Sequence, residues 1–261
     1  MEKASTDMDM STATSIAMST NTSTERDAAS APVTDVVPVS GVALTRLLEL
    51  VSPALPIGAF AYSQGLEQAV ASGWVTDEAT AAEWLLGLLT HGMETLDLPV
   101  LERLIDAWRM DHRERVDAWS AWLAACRPTR ETRAEERQLG AALARALAAI
   151  GVRDAEGWEA RGHVTQAAMF ALGAARFAIP TSAALAGYAF AWAEATTSAA
   201  VRLVPLGQSA GQRLLAAAGD EIPDSVARAR ALADDELAST TPGQAIASAL
   251  HEALYSRLFR S

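Results

Sequence analysis

From Val42 onward the apolar residues recur at intervals of three and four, and nowhere after residue 40 do β-branched residues alternate with a period of two. A chain patterned this way buries its apolar surface as packed helices and has no half-buried strand to offer. Leu44, Leu47, Leu48 and Val51 fall at i, i+3, i+4 and i+7, and Leu66, Ala69, Val70 and Gly73 repeat the interval. Further stripes are Val100, Leu101, Leu104, Ile105 and Trp108, then Val116, Trp119, Trp122, Leu123 and Cys126. Leu139, Leu143, Leu147 and Ile150 make the next, and Ile246, Ala249, Leu250, Ala253 and Leu254 the last. Pro128-Thr129, Gly151, Ile179-Pro180-Thr181, Val204-Pro205 and Ile222-Pro223-Asp224 suit helix ends or starts. Thr241-Pro242-Gly243-Gln244 predicts a capping box with proline at the first helical position. The expected fold is all-α, a single compact bundle of about nine or ten helices over residues 41–261, with no internal repeat.

Residues 1–40 differ: they carry 14 Ser/Thr, six acids and two bases, and no aromatic residue. Such a segment buries too little apolar surface to offset its ordering entropy, so it is expected to be a disordered acidic tail.

Charge and composition exclude several functions. The net charge is −11 and the arginines are dispersed, so a broad phosphate-binding surface for nucleic acid is not expected. Lys3 is the only lysine, which leaves no candidate for the lysine of a P-loop. Cys126 is the only cysteine, which rules out an intramolecular disulfide and a thiolate-rich zinc site. The most apolar internal stretch, Ala183–Ala193, is shorter than the roughly 18 residues of a membrane span. These features predict a soluble, cytoplasmic protein that binds neither nucleic acid nor membrane.

Few residues invite a chemical reading. Ala61-Tyr62-Ser63-Gln64-Gly65 lacks one glycine of the G-x-S-x-G elbow that mounts a serine nucleophile at the end of a strand. Pro53, Pro56 and Gly58 describe a connector in place of that strand, so a hydrolase using Ser63, with His163 or His251 as nominal partner, is a remote alternative. The four histidines have no i, i+3 or i+4 pairing, and each reads as a surface or hydrogen-bonded core residue; His251 beside Glu252 keeps somewhat more interest. Asp234-Asp235-Glu236 reads as acids in a first helical turn. Arg127, Arg130, Arg133 and Arg137, interleaved with Glu131, Glu135 and Glu136, read as a solvated charged face with an Arg127–Glu131 pair.

Two stretches resist a bland reading. One is the rigid connector leading into Phe60, Tyr62, Ser63, Gln64 and Glu67; the other is Ser256–Ser261, where Leu258 and Phe259 sit between Arg257 and Arg260. Aromatics and arginines are enriched in interface cores, yet composition alone fits self-packing and partner docking equally.

At these residues the chain resembles a known family, the urease accessory protein UreF. The family's S-P-A-L-P-x-G-x-F-x-Y-S-x-G-L-E pattern is matched by Ser52 to Glu67, with Ala61 where serine is common. Its L-G-Q-x-x-G-Q motif is similar to Leu206 to Gln212, and its H-E-x-x-x-S-R-L-F-R-S ending is met by His251 to Ser261. The resemblance implies a non-enzymatic, all-α protein that dimerises and binds a UreD/UreH-type accessory protein. Together these recruit a UreG-type GTPase to apo-urease, so that nickel enters the urease active site. No catalytic residue, metal site or tightly bound cofactor is implied; the role is in nickel delivery. A GTPase-activating role toward the UreG-type partner is the alternative.

Carried over by motif, the expected partner-binding residues are Phe60, Tyr62, Ser63, Gln64 and Glu67 in the first stretch. Gln208, Gln212 and Arg213 belong to the second. Tyr255, Arg257, Leu258, Phe259, Arg260 and Ser261 form the third, expected to be mobile until it meets the UreD-type partner. Glu67 or Gln208 would line a polar path for a hydrated nickel ion. Gly207 and Gly211 would permit close approach, either of helices within the chain or of a partner.

Overall fold

A computed structural model describes residues 38–261; the tail expectation for residues 1–40 falls almost wholly outside them. Ten α-helices and no strand occur among the described residues. In order they are α1 (Gly41–Leu50), α2 (Leu66–Ala71), α3 (Glu78–Leu88), α4 (Leu98–Arg109) and α5 (Arg113–Ala125). There follow α6 (Arg130–Ala149), α7 (Gln166–Arg176), α8 (Thr181–Leu203), α9 (Gln208–Ala231) and α10 (Pro242–His251). The all-α expectation holds.

The third stripe forms the centre of the fold. Val100, Leu101, Leu104, Ile105 and Trp108 are all fully buried on α4. The Trp108 indole N–H donates to the carbonyl of Ala168 at 2.9 Å, and its ring packs on Trp158 with centroids 5.3 Å apart. A buried indole retains its apolar contacts because that N–H finds an acceptor.

Between α3 and α4 the helix widens into a π-helix over Leu89–Asp97. Pro99 explains the change, since it has no N–H and its ring crowds the carbonyl four residues back, that of Thr95. The Thr95 carbonyl accepts instead from Ala238 N–H at 3.1 Å, and the His91 carbonyl from Thr240 N–H at 3.0 Å. The linker before α10 is thereby tied to the π-helix.

Of the other stripes, that on α1 is only half inward and that on α10 faces outward. On α1, Leu47, Leu50 and Ala43 are buried while Val42, Leu44 and Leu48 are exposed. Glycines on the neighbouring helices select the buried side: a Cβ at Gly187 would lie 2.7 Å from Leu47, and one at Gly173 would lie 3.1 Å from Leu50. On α10, Ala247, Ser248 and His251 are buried, whereas Ile246 and Leu250 are about half exposed. A Cβ at Gly65 would lie 2.8 Å from the Ser248 hydroxyl, so α10 rests on the start of α2 through its small residues.

Two helix boundaries also differ from expectation. α9 runs through Pro223 and does not end there. Thr241 precedes α10 with Pro242 at the first turn, but its hydroxyl donates to Gln244 Oε1 at 3.1 Å and caps no backbone N–H. Gly211 settles the packing of the Gly207–Gly211 pair: Val201 of α8 lies 2.8 Å from its would-be Cβ, so the contact is between helices of the chain, while Gly207 faces open space.

Gly140 on α6 has the tightest fit. A Cβ there would lie 2.6 Å from the backbone carbon of Thr165, the residue that caps α7. Backbone cannot move aside as a side chain can, so Gly140→Ala is expected to cost about 1–3 kcal/mol of stability, by analogy with overpacked cores. Urea unfolding checks this; an unchanged midpoint contradicts it.

Candidate functional site

The first and third sequence motifs meet. Gly58 and Gly65 adopt left-handed φ of 80° and 87°, which turn the connector back on itself before α2. Along it lies the end of the chain. Arg260 N–H donates to the Ala61 carbonyl at 2.8 Å, and both the backbone N–H and the hydroxyl of Ser63 donate to the Ser261 carbonyl, at 2.8 and 2.5 Å. Glu67 accepts the backbone N–H groups of Leu258 at 2.6 Å and Phe259 at 2.9 Å. The Phe259 ring is buried in an apolar cluster with Leu66, Ala69 and Leu214. The Ser256–Ser261 segment, expected to be mobile, is therefore docked. Glu67 satisfies N–H groups that would otherwise be buried unpaired, and Phe259 contributes the apolar burial.

His251 completes this clasp. It is fully buried, with Nδ1 2.7 Å from Glu131 and Nε2 3.2 Å from Glu67. Both ring nitrogens face carboxylate oxygens, so the ring is held between Glu131 and Glu67 whichever nitrogen carries the proton. Glu131 also takes Arg257, and Glu252 accepts the Glu131 backbone N–H at 3.1 Å.

Ser63 has no nucleophile's setting. Its hydroxyl is buried, donates to Ser261 and accepts from Glu67 N–H at 3.2 Å. His163 bonds to Asp117 at 2.9 Å, and His251 is engaged as described, so neither histidine addresses Ser63. This removes the hydrolase alternative.

Behind the clasp lies a cavity of about 710 Å³ bordered by Phe60, Tyr62, Gln64, Asp97, Arg127 and Tyr188 among others. Its charged wall joins Glu135 and Glu136 of α6 to Asp97 and Arg127, which corrects the reading of that stretch as a solvated face. Glu135 and Glu136 are buried, and Arg127 bonds to Asp97 and, at 2.8 Å, to Glu136 instead of pairing with Glu131. Burial opposes the charge on Arg127, but Asp97 and Glu136 prevail and hold its pKa well above the ordinary arginine value. Glu135 has no cationic partner of its own; it accepts from Ser261 Oγ at 2.6 Å and Gln64 Nε2 at 2.8 Å. Burial outweighs these bonds, and with the neighbouring Glu136 charge raises the Glu135 pKa to about 7. Burial likewise pushes the Tyr62 and Tyr188 hydroxyls up.

The residues expected to meet partners thus divide. Tyr62, Ser63, Glu67, Phe259 and Ser261 are buried and hold the clasp within the chain. Gln64 is half-buried, bonded to Glu135 and accepting from the Trp192 indole at 2.8 Å. Phe60 (62 % exposed), Tyr255 (105 %) and Leu258 (67 %) stand outward. With Ile246 and Leu250 of α10, Tyr255 and Leu258 belong to the outer face of the chain's closing segment. Arg257 and Arg260 are exposed beside them. Gln208, Gln212 and Arg213 face solvent on α9, away from the clasp's hydrogen bonds, and Arg213 pairs with Glu78 at 2.6 Å.

Sequence reasoning missed Asp97, Arg127, Glu131, Glu135 and Glu136 as site residues. A signal existed for two of them: the Leu139–Leu143–Leu147 stripe continues upstream through Glu135 and Glu136 at i−4 and i−3. Among the described residues no three of His, Cys, Asp and Glu converge as a metal site, and no helix is long and apolar enough to cross a membrane.

Known proteins share this chain's pattern. A sequence profile described as UreF matches residues 75–219. A urease accessory protein UreF of Alkalilimnicola ehrlichii is 46 % identical over 221 residues, covering 85 % of this chain and 97 % of that protein. The UreF of Chromohalobacter salexigens is 45 % identical over 223 residues, covering 84 % and 95 %, and that of Hahella chejuensis 39 % over 220 residues, covering 84 % and 99 %. Identity at this level across nearly the whole length of the relatives, together with the profile match, places the chain in the UreF family of urease accessory proteins.

Proposed function

We propose that this chain is a non-enzymatic adaptor in urease maturation, acting as a homodimer within the assembly. It links a UreD/UreH-type accessory protein and a UreG-type GTPase to apo-urease for nickel incorporation. Nickel is cargo in this reading, handled by the assembly and not held as a resident cofactor.

The observation that carries the proposal is the exposed apolar face of α10 and the segment after it: Ile246, Leu250, Tyr255 and Leu258. Ile246 and Leu250 share one face of α10, Tyr255 and Leu258 follow it in the chain, and large apolar side chains left in water along one short stretch mark a docking surface. The clasp supports it from below. Glu67, His251 and Glu131 hold the segment rigid, so a partner meets a preformed surface and little ordering entropy is lost on binding.

Ile246→Asp with Leu250→Asp tests the assignment. Both positions are exposed, so folding stability is expected to change by only about 0.5 kcal/mol per site. Capture of the UreD-type partner should fall by on the order of a hundredfold, as expected for losing two interface anchors. Undiminished capture by the folded variant removes α10 from the interface.

A further inference from the structure

α6 sorts its charges. Its carboxylates turn inward: Glu131 to His251 and Arg257, Glu135 to Ser261 and Gln64, Glu136 to Arg127. Its arginines turn outward. Arg130, Arg133 and Arg137 are exposed, and none makes an ion pair among the described residues. In a chain of net charge −11, where most other arginines reach a carboxylate, this is an uncompensated local concentration of positive charge. The three stand at i, i+3 and i+7, on one stripe about 10 Å long at 1.5 Å per residue. Like charges at such spacings repel, and the one side-chain bond the three make among the described residues is that of Arg133 to a backbone carbonyl.

The same residues line a groove of about 320 Å³ between α5, α6 and the loop at Gly162. Its floor is made of small residues, Ala124, Ala134, Gly162 and Val164. A Cβ at Gly162 would meet nothing within 4 Å, so the groove is open on that side. Arg133 is held by donating to the Arg127 carbonyl at 2.8 Å. The Thr129-capped N-terminus of α6, beside Arg130, adds the positive end of the helix dipole.

We propose that this groove docks an acidic segment of a partner protein, whose carboxylates are taken by Arg130, Arg133 and Arg137. The elongated stripe decides the class. Guanidinium forks spread over two helical turns match carboxylates at matching intervals on a helix, whereas a single phosphate spans only one of them. A nucleic acid needs a longer basic surface than three arginines on an acidic chain provide. The proposal rests on Arg130, Arg133 and Arg137 and uses none of Ile246, Leu250, Tyr255 and Leu258, so it does not depend on the partner assigned to the α10 ridge.

The probe is a synthetic helical peptide bearing glutamate at i, i+3 and i+7, with a glutamine analogue as control, followed by fluorescence anisotropy. The glutamate peptide is expected to bind the full chain at low salt and to weaken as the Debye length falls to about 8 Å near physiological ionic strength. The triple variant Arg130→Gln/Arg133→Gln/Arg137→Gln should bind it at least about tenfold more weakly, with circular dichroism unchanged because all three positions are exposed. The reversed variant Arg130→Glu/Arg133→Glu/Arg137→Glu should instead bind the lysine counterpart of the peptide. Failure of the glutamate peptide to bind, equal binding by the triple variant, or displacement of the peptide by inorganic phosphate overturns the proposal.

Discussion

Replacing Glu67 by alanine is expected to lower folding stability by about 2–5 kcal/mol, the cost of leaving two buried backbone N–H groups unpaired at about 1–3 kcal/mol each. It is also expected to free the end of the chain. One carboxylate satisfies two backbone N–H groups, those of Leu258 and Phe259, and faces Nε2 of a fully buried His251. Alanine leaves both backbone donors without an acceptor and takes away the carboxylate that faces the imidazole. The segment's remaining ties are the Ser63–Ser261, Ala61–Arg260 and Glu135–Ser261 bonds, the Arg257–Glu131 pair and the Phe259 ring. Local opening is then favoured over global unfolding. Trypsin should cleave after Arg257 and Arg260 in the variant well before it cleaves the helices, while the wild-type end stays protected. Glu67→Gln keeps an acceptor oxygen but not the charge, and should fall between the two. A variant as stable and as protected as wild type would show that the clasp is incidental.

The second large effect is one of pH. The Glu135 carboxyl ionises near pH 7 in the folded chain, against an ordinary value of 4.5, chiefly because it is buried. Folding therefore favours its neutral form. The stability this contributes is fully present below about pH 4.5 and is lost as pH rises through 7. At about 1.36 kcal/mol per unit, the raised pKa amounts to roughly 3 kcal/mol between those limits. Glu135→Gln removes the titration, so its stability should be flatter over that window, and the gap between variant and wild type should move in the variant's favour toward pH 8. Because Glu135 holds Ser261 Oγ, wild-type hydrogen exchange in Leu258–Ser261 should also rise with pH beyond the intrinsic rate. Parallel pH profiles for the two proteins would contradict the assignment.

Much of the fold was legible because a helical stripe and a buried helix face are the same pattern. Val100, Leu101, Leu104, Ile105 and Trp108 are predicted as one face and are all fully buried. The stripes on α1 and α10 show the limit of that reasoning. Periodicity reveals that Ile246 and Leu250 share a side but not whether that side meets the core or water. Here Gly65, by admitting Ala247 and Ser248 at close range, decides it. The π-helix was not legible, since it depends on Pro99 and on N–H groups supplied by residues 238 and 240.

The site was legible in part. The motifs that carried the family resemblance, Ser52–Glu67 and His251–Ser261, are brought together, but their polar residues mostly bond to each other. The helical stripe hints at the inward turn of Glu135 and Glu136, but what Glu131 and Glu135 bond to could not be read locally. Their partners Gln64, His251, Arg257 and Ser261 lie far away in the chain, and only tertiary packing supplies them.

The central claim is that the clasp presents an apolar ridge through which this UreF-family chain serves urease maturation. The most direct measurement is the nickel content of urease produced together with its accessory proteins, with this chain present, absent, or carrying Ile246→Asp/Leu250→Asp. The account predicts nickel-loaded urease only with the wild-type chain. Full loading in its absence, or with the folded ridge variant, would contradict it.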